Sequence, residues 1–313
     1  MKDLRNRIAG ALYGVAIGDA LGAPLEFMSQ EQIANKHGRV TEMIGGGWLD
    51  VEPGEITDDT QMTLAVAEGI VKDPDNPIPA IGENFILWML SNPKDIGGTC
   101  RTSIHNAAMK VGEKYTLIKH HARLDEDKWI EASKYTCETN GGRSGGNGAL
   151  MRTVYPGLYY EGQLEAVDTA ASIAQMTHWD EKSTEACILY TGMIHLITGS
   201  NNDDGAWLHV NRTLKGSEYK LEPRKDTKPT GYVVDSFKCV LHSLAITETF
   251  EDAIIEAANL GGDADTIAAI TGGLAGVIYG YKGIPERWIQ ALDPKTRAQL
   301  DRLVDAAVKN REG

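Results

Sequence analysis

The chain has 313 residues, 42% hydrophobic and 24% charged, enough to bury a sizeable core in one large domain or two small ones. Its formal net charge of −13, from 31 basic and 44 acidic side chains, argues against nonspecific binding to nucleic acid or to an anionic membrane. Cys100, Cys137, Cys187 and Cys239 are spaced too widely for a CxxC zinc or redox motif and read as reduced thiols of a cytoplasmic protein.

Residues 4–22 are expected to form a helix in which Gly10, Gly14, Gly18 and Gly22 recur at every fourth position. That stripe puts bare backbone on one face and admits a close neighbouring helix. It is not a dinucleotide fingerprint, because no strand precedes it and the GxGxxG spacing is absent. The apolar stretch 8–21 follows the charged Lys2, Asp3, Arg5 and Arg7 and is interrupted by Asp19, so it reads as neither a signal peptide nor a stretch long enough to span a membrane. Residues 38–56, with Gly45, Gly46, Gly47 and Pro53-Gly54, read as loop. Helices are expected over 60–72, 79–91, 102–113 and 126–138, with a loop at 92–98. The glycine-rich stretch 140–148 opens onto an apolar run at 149–158. Further helices are expected over 163–176, 181–198, 232–247, 250–259, 265–280 and 294–309, and the charged, proline-containing stretch 200–230 as a surface excursion. With no run of alternating strands, the fold class is all-α, in one domain spanning 1–313 and without internal repeats.

Two short acidic clusters stand far apart in the chain, Thr57-Asp58-Asp59-Thr60 and Asp263-Ala264-Asp265-Thr266. Each opens an apolar helical segment and offers the carboxylate and hydroxyl oxygens that a hard divalent cation such as Mg²⁺ or Mn²⁺ prefers. Asp and Thr are also ordinary N-cap residues, but a cap uses one oxygen and each cluster offers several. Two halves of one metal site are therefore expected to meet on folding. Glu26 follows Pro24 at the end of the first helix, where a Glu on its own would be a solvated surface residue. The loop 141–148 frees backbone N–H groups that could converge on a phosphate, with Asn147 and Arg152 as directed donors. Composition alone suits a plain surface loop equally well. Asp95, in a glycine-rich loop, fits either catalysis or turn stabilisation. His178, beside Trp179 at a helix end, is suited to a ribose, although a lone His is commonly structural. No GxSxG, HExxH or Walker A pattern is present.

Together these segments resemble the ADP-ribosylglycohydrolase family. The stretches that carry the resemblance are 7–27 with Glu26, Pro53-Gly-Glu-Ile-Thr-Asp-Asp-Thr-Gln-Met62, Asp95-Ile-Gly-Gly-Thr-Cys-Arg101, Gly145-Gly-Asn-Gly-Ala-Leu-Met-Arg152, Thr177-His178, Gly231-Tyr-Val-Val-Asp235 and Asn259-Leu-Gly-Gly-Asp-Ala-Asp-Thr-Ile267, in family order. The resemblance implies a compact orthogonal multi-helix fold and a centre of two divalent cations, Mg²⁺ or Mn²⁺. It implies Thr57, Asp58 and Asp59 as ligands from one side and Asp263, Asp265 and Thr266 from the other, with Asp265 bridging. Glu26 matches the acidic residue that ligates or leaves the metal and helps drive the reaction. Gly145, Gly146, Asn147 and Gly148 match the diphosphate-binding segment, with Met151 and Arg152 beside them. His178 matches the ribose-contacting histidine, and Tyr232 falls at a substrate-side position. The Asp95 loop, with Gly97 and Thr99, is similar to that of arginine-type members, whose loop Asp acts on the ribose and the arginine nitrogen. Gly98 departs from the nitrogenase-regulating member, which carries Asn there, and 200–230 holds no family motif.

The implied activity is hydrolysis of the N-glycosidic bond between ADP-ribose and a modified protein arginine, releasing ADP-ribose. Breaking that bond builds positive charge at the anomeric carbon, which nearby carboxylates would stabilise. Glu26 or Asp95 would move the proton. A second reading keeps the site and changes the acceptor to serine-linked ADP-ribose, O-acetyl-ADP-ribose or an ADP-ribosylated small molecule. A third is a non-catalytic ADP-ribose binder or structural relative, expected to have lost metal ligands; here both clusters and Glu26 are present. The expected partner is an ADP-ribosylated protein met by a cytoplasmic monomer, with neither nucleic acid nor membrane involved.

Overall fold

The computed structural model describes residues 4–110, 123–200 and 205–313. Among these residues the secondary structure is helical, with only isolated β-bridges and no strand. In chain order the helices are α1 (Leu4–Gly22), α2 (Gln30–His37), α3 (Asp58–Lys72), α4 (Pro77–Leu90), α5 (Gly98–Lys110), α6 (Glu126–Thr139), α7 (Val154–Tyr159) and α8 (Gln163–Gln175). There follow α9 (Glu181–Thr198), α10 (Ala206–Thr213), α11 (Val233–Ala245), α12 (Phe250–Asn259), α13 (Ala264–Tyr279), α14 (Glu286–Ala291) and α15 (Pro294–Glu312). Every helix expected from periodicity is present. The end of the one expected over 102–113 lies outside the described residues, as do 201–204 of the supposed excursion, which elsewhere contains α10.

The glycine stripe of α1 explains the centre of the fold. A Cβ placed on Gly10 would fall 2.2 Å from the Gly276 carbonyl oxygen, one on Gly14 2.0 Å from that of Gly272, and one on Gly18 2.0 Å from that of Ala268. In return, a Cβ on Gly272 would fall 1.9 Å from the Gly14 oxygen. Helices α1 and α13 thus run antiparallel in backbone contact, which only glycine permits at these positions. All of α1 from Arg7 onward is buried, and one continuous apolar core reaches from Ile8 to Ala307. Close packing of that core excludes water from the interhelical seam.

The segment Leu4–Leu25 is longer than the apolar stretch read from the sequence, and by length and composition it could cross a bilayer. In this fold its apolar window is wholly buried against protein. That corrects the expectation that it is too short, because the helix already begins at Leu4 and the turn that follows carries the apolar segment on to Leu25.

Candidate active site

Antiparallel pairing of α1 and α13 brings the C-terminal end of the first to the N-terminal end of the second. Gly22 lies against Ala264, where a Cβ would be 2.5 Å from the carbonyl oxygen. After α1 a short 3-10 turn at Ala23–Leu25 releases Glu26. The chain then clamps onto the turn before α13: Phe27 N donates to Gly262 O at 2.7 Å and Gly262 N to Met28 O at 2.8 Å.

Helix α3 is drawn to the same point by Asp19, which the sequence showed only as an interruption. Its fully buried carboxylate accepts the backbone N–H of Thr57 at 3.0 Å and of Thr60 at 3.1 Å. It also accepts both hydroxyls, that of Thr57 at 2.7 Å. The first turn of α3 is therefore capped from a different helix. Thr57 and Asp263, the N-cap residues of α3 and α13, make no side-chain capping bond to the backbone of their own helices. Simple capping does not account for the two clusters.

The clusters lie together. Thr266 Oγ1 donates to Asp59 Oδ2 at 3.4 Å, and Thr57 Oγ1 is 3.5 Å from the same oxygen. Asp59 Oδ1 is buried without a hydrogen-bond partner. One carboxylate oxygen each of Glu26, Asp95 and Asp265 lies within 4.8 Å of the other two. Among the described residues, none of these carboxylates forms an ion pair. Burial, reinforced by neighbouring carboxylates, raises Asp58, Asp59 and Asp265 well above the usual carboxylate range. Burial likewise lifts Glu26 to about 7, against a hydrogen bond from the Trp48 indole at 2.5 Å that favours its charged form. Asp95 is raised by burial, opposed by the Ile96 N–H that its Oδ1 accepts at 2.7 Å. Such a group of buried acidic oxygens has the chemistry that could hold a hard divalent cation, and the positive N-terminal ends of α3 and α13 favour the charged form of these carboxylates.

The glycine loop is held open by side chains and backbone around it. Val233 N donates to Gly145 O at 2.9 Å, Ser183 Oγ to Gly146 O at 3.0 Å and Asn147 N to Gly231 O at 3.0 Å. Asn147 Nδ2 donates to Asp263 Oδ2 at 2.6 Å and Ser236 Oγ at 2.9 Å, tying the loop to the second acidic cluster. His178 lies against the loop, its Nε2 3.1 Å from where a Cβ on Gly146 would sit. Burial, then the nearby Arg152 charge, pushes His178 down to about 3, so its imidazole is neutral.

A single cavity of about 420 Å³ joins the two ends: Glu26, Asp58, Asp95, Asp263 and Thr266 on one side, Gly146, Asn147, Gly148 and His178 on the other. Gly97, Thr99 and Met151 also line it. Thr57, Asp59 and Asp265 are buried behind this wall. Gly145 lies beside the half-exposed Tyr232, whose ring would be 3.0 Å from a Cβ placed on the glycine. Arg152 differs from the expectation of a ligand-facing donor. It is fully buried beneath the loop, donating to Gly148 O at 3.1 Å, Ile173 O at 3.0 Å and Thr177 Oγ1 at 2.6 Å, with its guanidinium 4.7 Å from the Phe85 ring centroid. Trp48, the other partner of this site that sequence reasoning missed, stands alone after a glycine run and gives no periodic signal.

Comparison with known proteins agrees with this architecture. The family model described as ADP-ribosylglycohydrolase matches residues 1–313. The chain is 34% identical to ADP-ribosyl-(dinitrogen reductase) glycohydrolase of Rhodospirillum rubrum, over 97% of this chain and 96% of that protein. It is 32% identical to ADP-ribosylarginine hydrolase Tri1 of Serratia proteamaculans, over 93% of this chain and 76% of that one. A solved chain described as an ADP-ribosylglycohydrolase-related protein complex superimposes with a TM-score of 0.76 at 26% identity, covering 99% of this chain and all of its own. The chain belongs to the ADP-ribosylglycohydrolase family.

Proposed function

We propose that this glycohydrolase removes ADP-ribose from modified protein arginine, using two divalent cations, Mg²⁺ or Mn²⁺. What carries the reading is the single cavity that joins the acidic cluster to the glycine loop. The arginine linkage is supported by the Asp95 loop and by the names of two relatives, one acting on ADP-ribosylarginine and one on ADP-ribosyl-dinitrogen reductase.

The residues present fit such a centre, because Asp59 Oδ1 is a buried acceptor left without a partner. Thr57, Asp58, Asp59, Asp263, Asp265 and Thr266 would hold the cations. When bound, these ions supply Lewis-acid polarisation of the ribose hydroxyls and a water of lowered pKa.

Hydrolysis forms a C1″–O bond from water and breaks C1″–N, so the water loses a proton and the guanidine nitrogen gains one. Glu26, on the cavity wall beside Asp95 and Asp265, is placed to exchange that proton. Asp95 stands close enough to assist. The amides of Gly145, Gly146 and Gly148 would receive the diphosphate. Arg152 is donor-only, so Thr177 Oγ1 accepts from it and donates its own hydrogen bond to His178 Nδ1, 2.8 Å away. That assigns the ring hydrogen to Nε2, a donor for a ribose hydroxyl.

Parallel assays on arginine-linked, serine-linked and O-acetyl-ADP-ribose test the linkage. Release from arginine alone is expected. Release from serine or the acetyl ester instead would replace the acceptor while keeping the site, and binding of ADP-ribose without any turnover would favour the non-catalytic reading.

A further inference from the structure

Phe27 and Trp48 make an aromatic lip at the outer end of the cavity. Phe27 is 69% exposed and Trp48 52%, with ring centroids 5.3 Å apart at 46°. Neither contributes to the core. Phe27 is held at φ 62°, where a bulky residue is strained. Its N–H bond to Gly262 O keeps it there and turns the side chain out of the core. Trp48 is presented by Gly47, itself at φ 72° against Pro24, and donates its indole N–H to Glu26. Natural chains seldom keep a strained, exposed aromatic pair without a use for it.

Beyond the lip lies a second cavity of about 590 Å³, with Met28, Asn35 and Lys36 in its lining. It shares Glu26, Phe27 and Trp48 with the first. The two cavities thus adjoin, one on each side of the aromatic pair.

We infer that the lip and the second cavity receive the acceptor polypeptide, the residues flanking the modified arginine. The inference rests on the arginine-hydrolase reading above. In that reading the diphosphate lies at the glycine loop and the scissile bond between Glu26 and Asp95. The acceptor must then leave on the side away from the loop, past Glu26. There it meets exposed aromatic faces, which suit the backbone and side chains of the residues flanking the arginine, a contact that free ADP-ribosyl-arginine lacks. Asn35 and Lys36 offer donors for peptide carbonyls. A flanking side chain packed on one exposed ring changes affinity about two- to ten-fold.

The test compares one ADP-ribosylated protein with free ADP-ribosyl-arginine. Phe27→Gly removes the ring and suits φ 62°, so the backbone is retained. It should raise the ratio of protein KM to small-substrate KM about five-fold. Lys36→Ala, an exposed change on the far wall, should move the ratio the same way, by about two-fold. Trp48→Phe keeps a ring but removes the bond to Glu26, so its main effect should fall on kcat with both substrates. Unchanged ratios in both Phe27→Gly and Lys36→Ala would overturn the acceptor groove while leaving the arginine-hydrolase reading intact. A wild-type enzyme inactive on both substrates would overturn that reading and the groove with it.

Discussion

The carboxylate of Asp19, buried in the last turn of α1, accepts both the backbone N–H and the hydroxyl of Thr57 at the start of α3. Because the Thr57 hydroxyl donates its hydrogen to Asp19, its lone pairs would be left to face a cation in the proposed centre. Support of this kind behind a metal ligand is worth roughly 10- to 100-fold in metal affinity. Asp19→Asn should therefore weaken Mn²⁺ binding by about that factor in a calorimetric titration, and Asp19→Ala should also destabilise the fold by about 3 kcal/mol. Unaltered Mn²⁺ affinity in Asp19→Asn would contradict the role.

Asp59 is crowded by like charges, with Asp19, Asp58, Asp263 and Glu26 all pushing its carboxyl upward after burial itself. In chelator, Asp59→Asn removes one buried charge and should stabilise the protein by about 1–3 kcal/mol. Added metal should then give little further stabilisation, whereas the wild type gains strongly. Thermal melts with and without Mn²⁺ check both signs.

Much of this site could be read from residue types, and the rest needed the third dimension. The four-residue glycine period of α1 announces a close helix but not that α13 is its partner, a contact between chain ends. The two acidic clusters show their chemistry in sequence; Asp19 does not, because a single carboxylate in an apolar helix could as easily mark a helix end. Helix α2 was missed since Ile33 is its only buried residue, although its Ser29–Gln32 capping box was visible. Arg152 looked like a ligand donor because sequence cannot say which side of a loop a guanidinium takes.

Gly14→Ala tests the helix seam. Its Cβ would lie 2.0 Å from a backbone oxygen that cannot yield without separating α1 from α13. A loss of about 3 kcal/mol or more is expected, together with weakened metal binding, since the two acidic ends move apart. Gly192→Ala in α9 is the control. Its Cβ meets only ordinary contacts beyond 3.7 Å, so it should be neutral or stabilising by up to about 1 kcal/mol.

His178 sets a pH dependence with a definite sign. Its folded pKa, about 3, lies below the ordinary 6.5, so the unfolded chain binds the proton first as pH falls. Above pH 6.5 the group makes no difference; between 6.5 and 3 it lowers stability by about 1.4 kcal/mol per pH unit. Urea unfolding at pH 7, 6 and 5 should show the wild type losing ground against His178→Gln. Parallel profiles would contradict the buried neutral ring.

The central claim is metal-dependent hydrolysis at the joined acidic clusters. Its most direct test is release of ADP-ribose from an arginine-ADP-ribosylated protein in Mg²⁺, in Mn²⁺ and in chelator, alongside Asp58→Ala and Asp263→Ala. The expected result is release with metal, none in chelator and none from either variant. Full release in chelator, or from either variant, would contradict it.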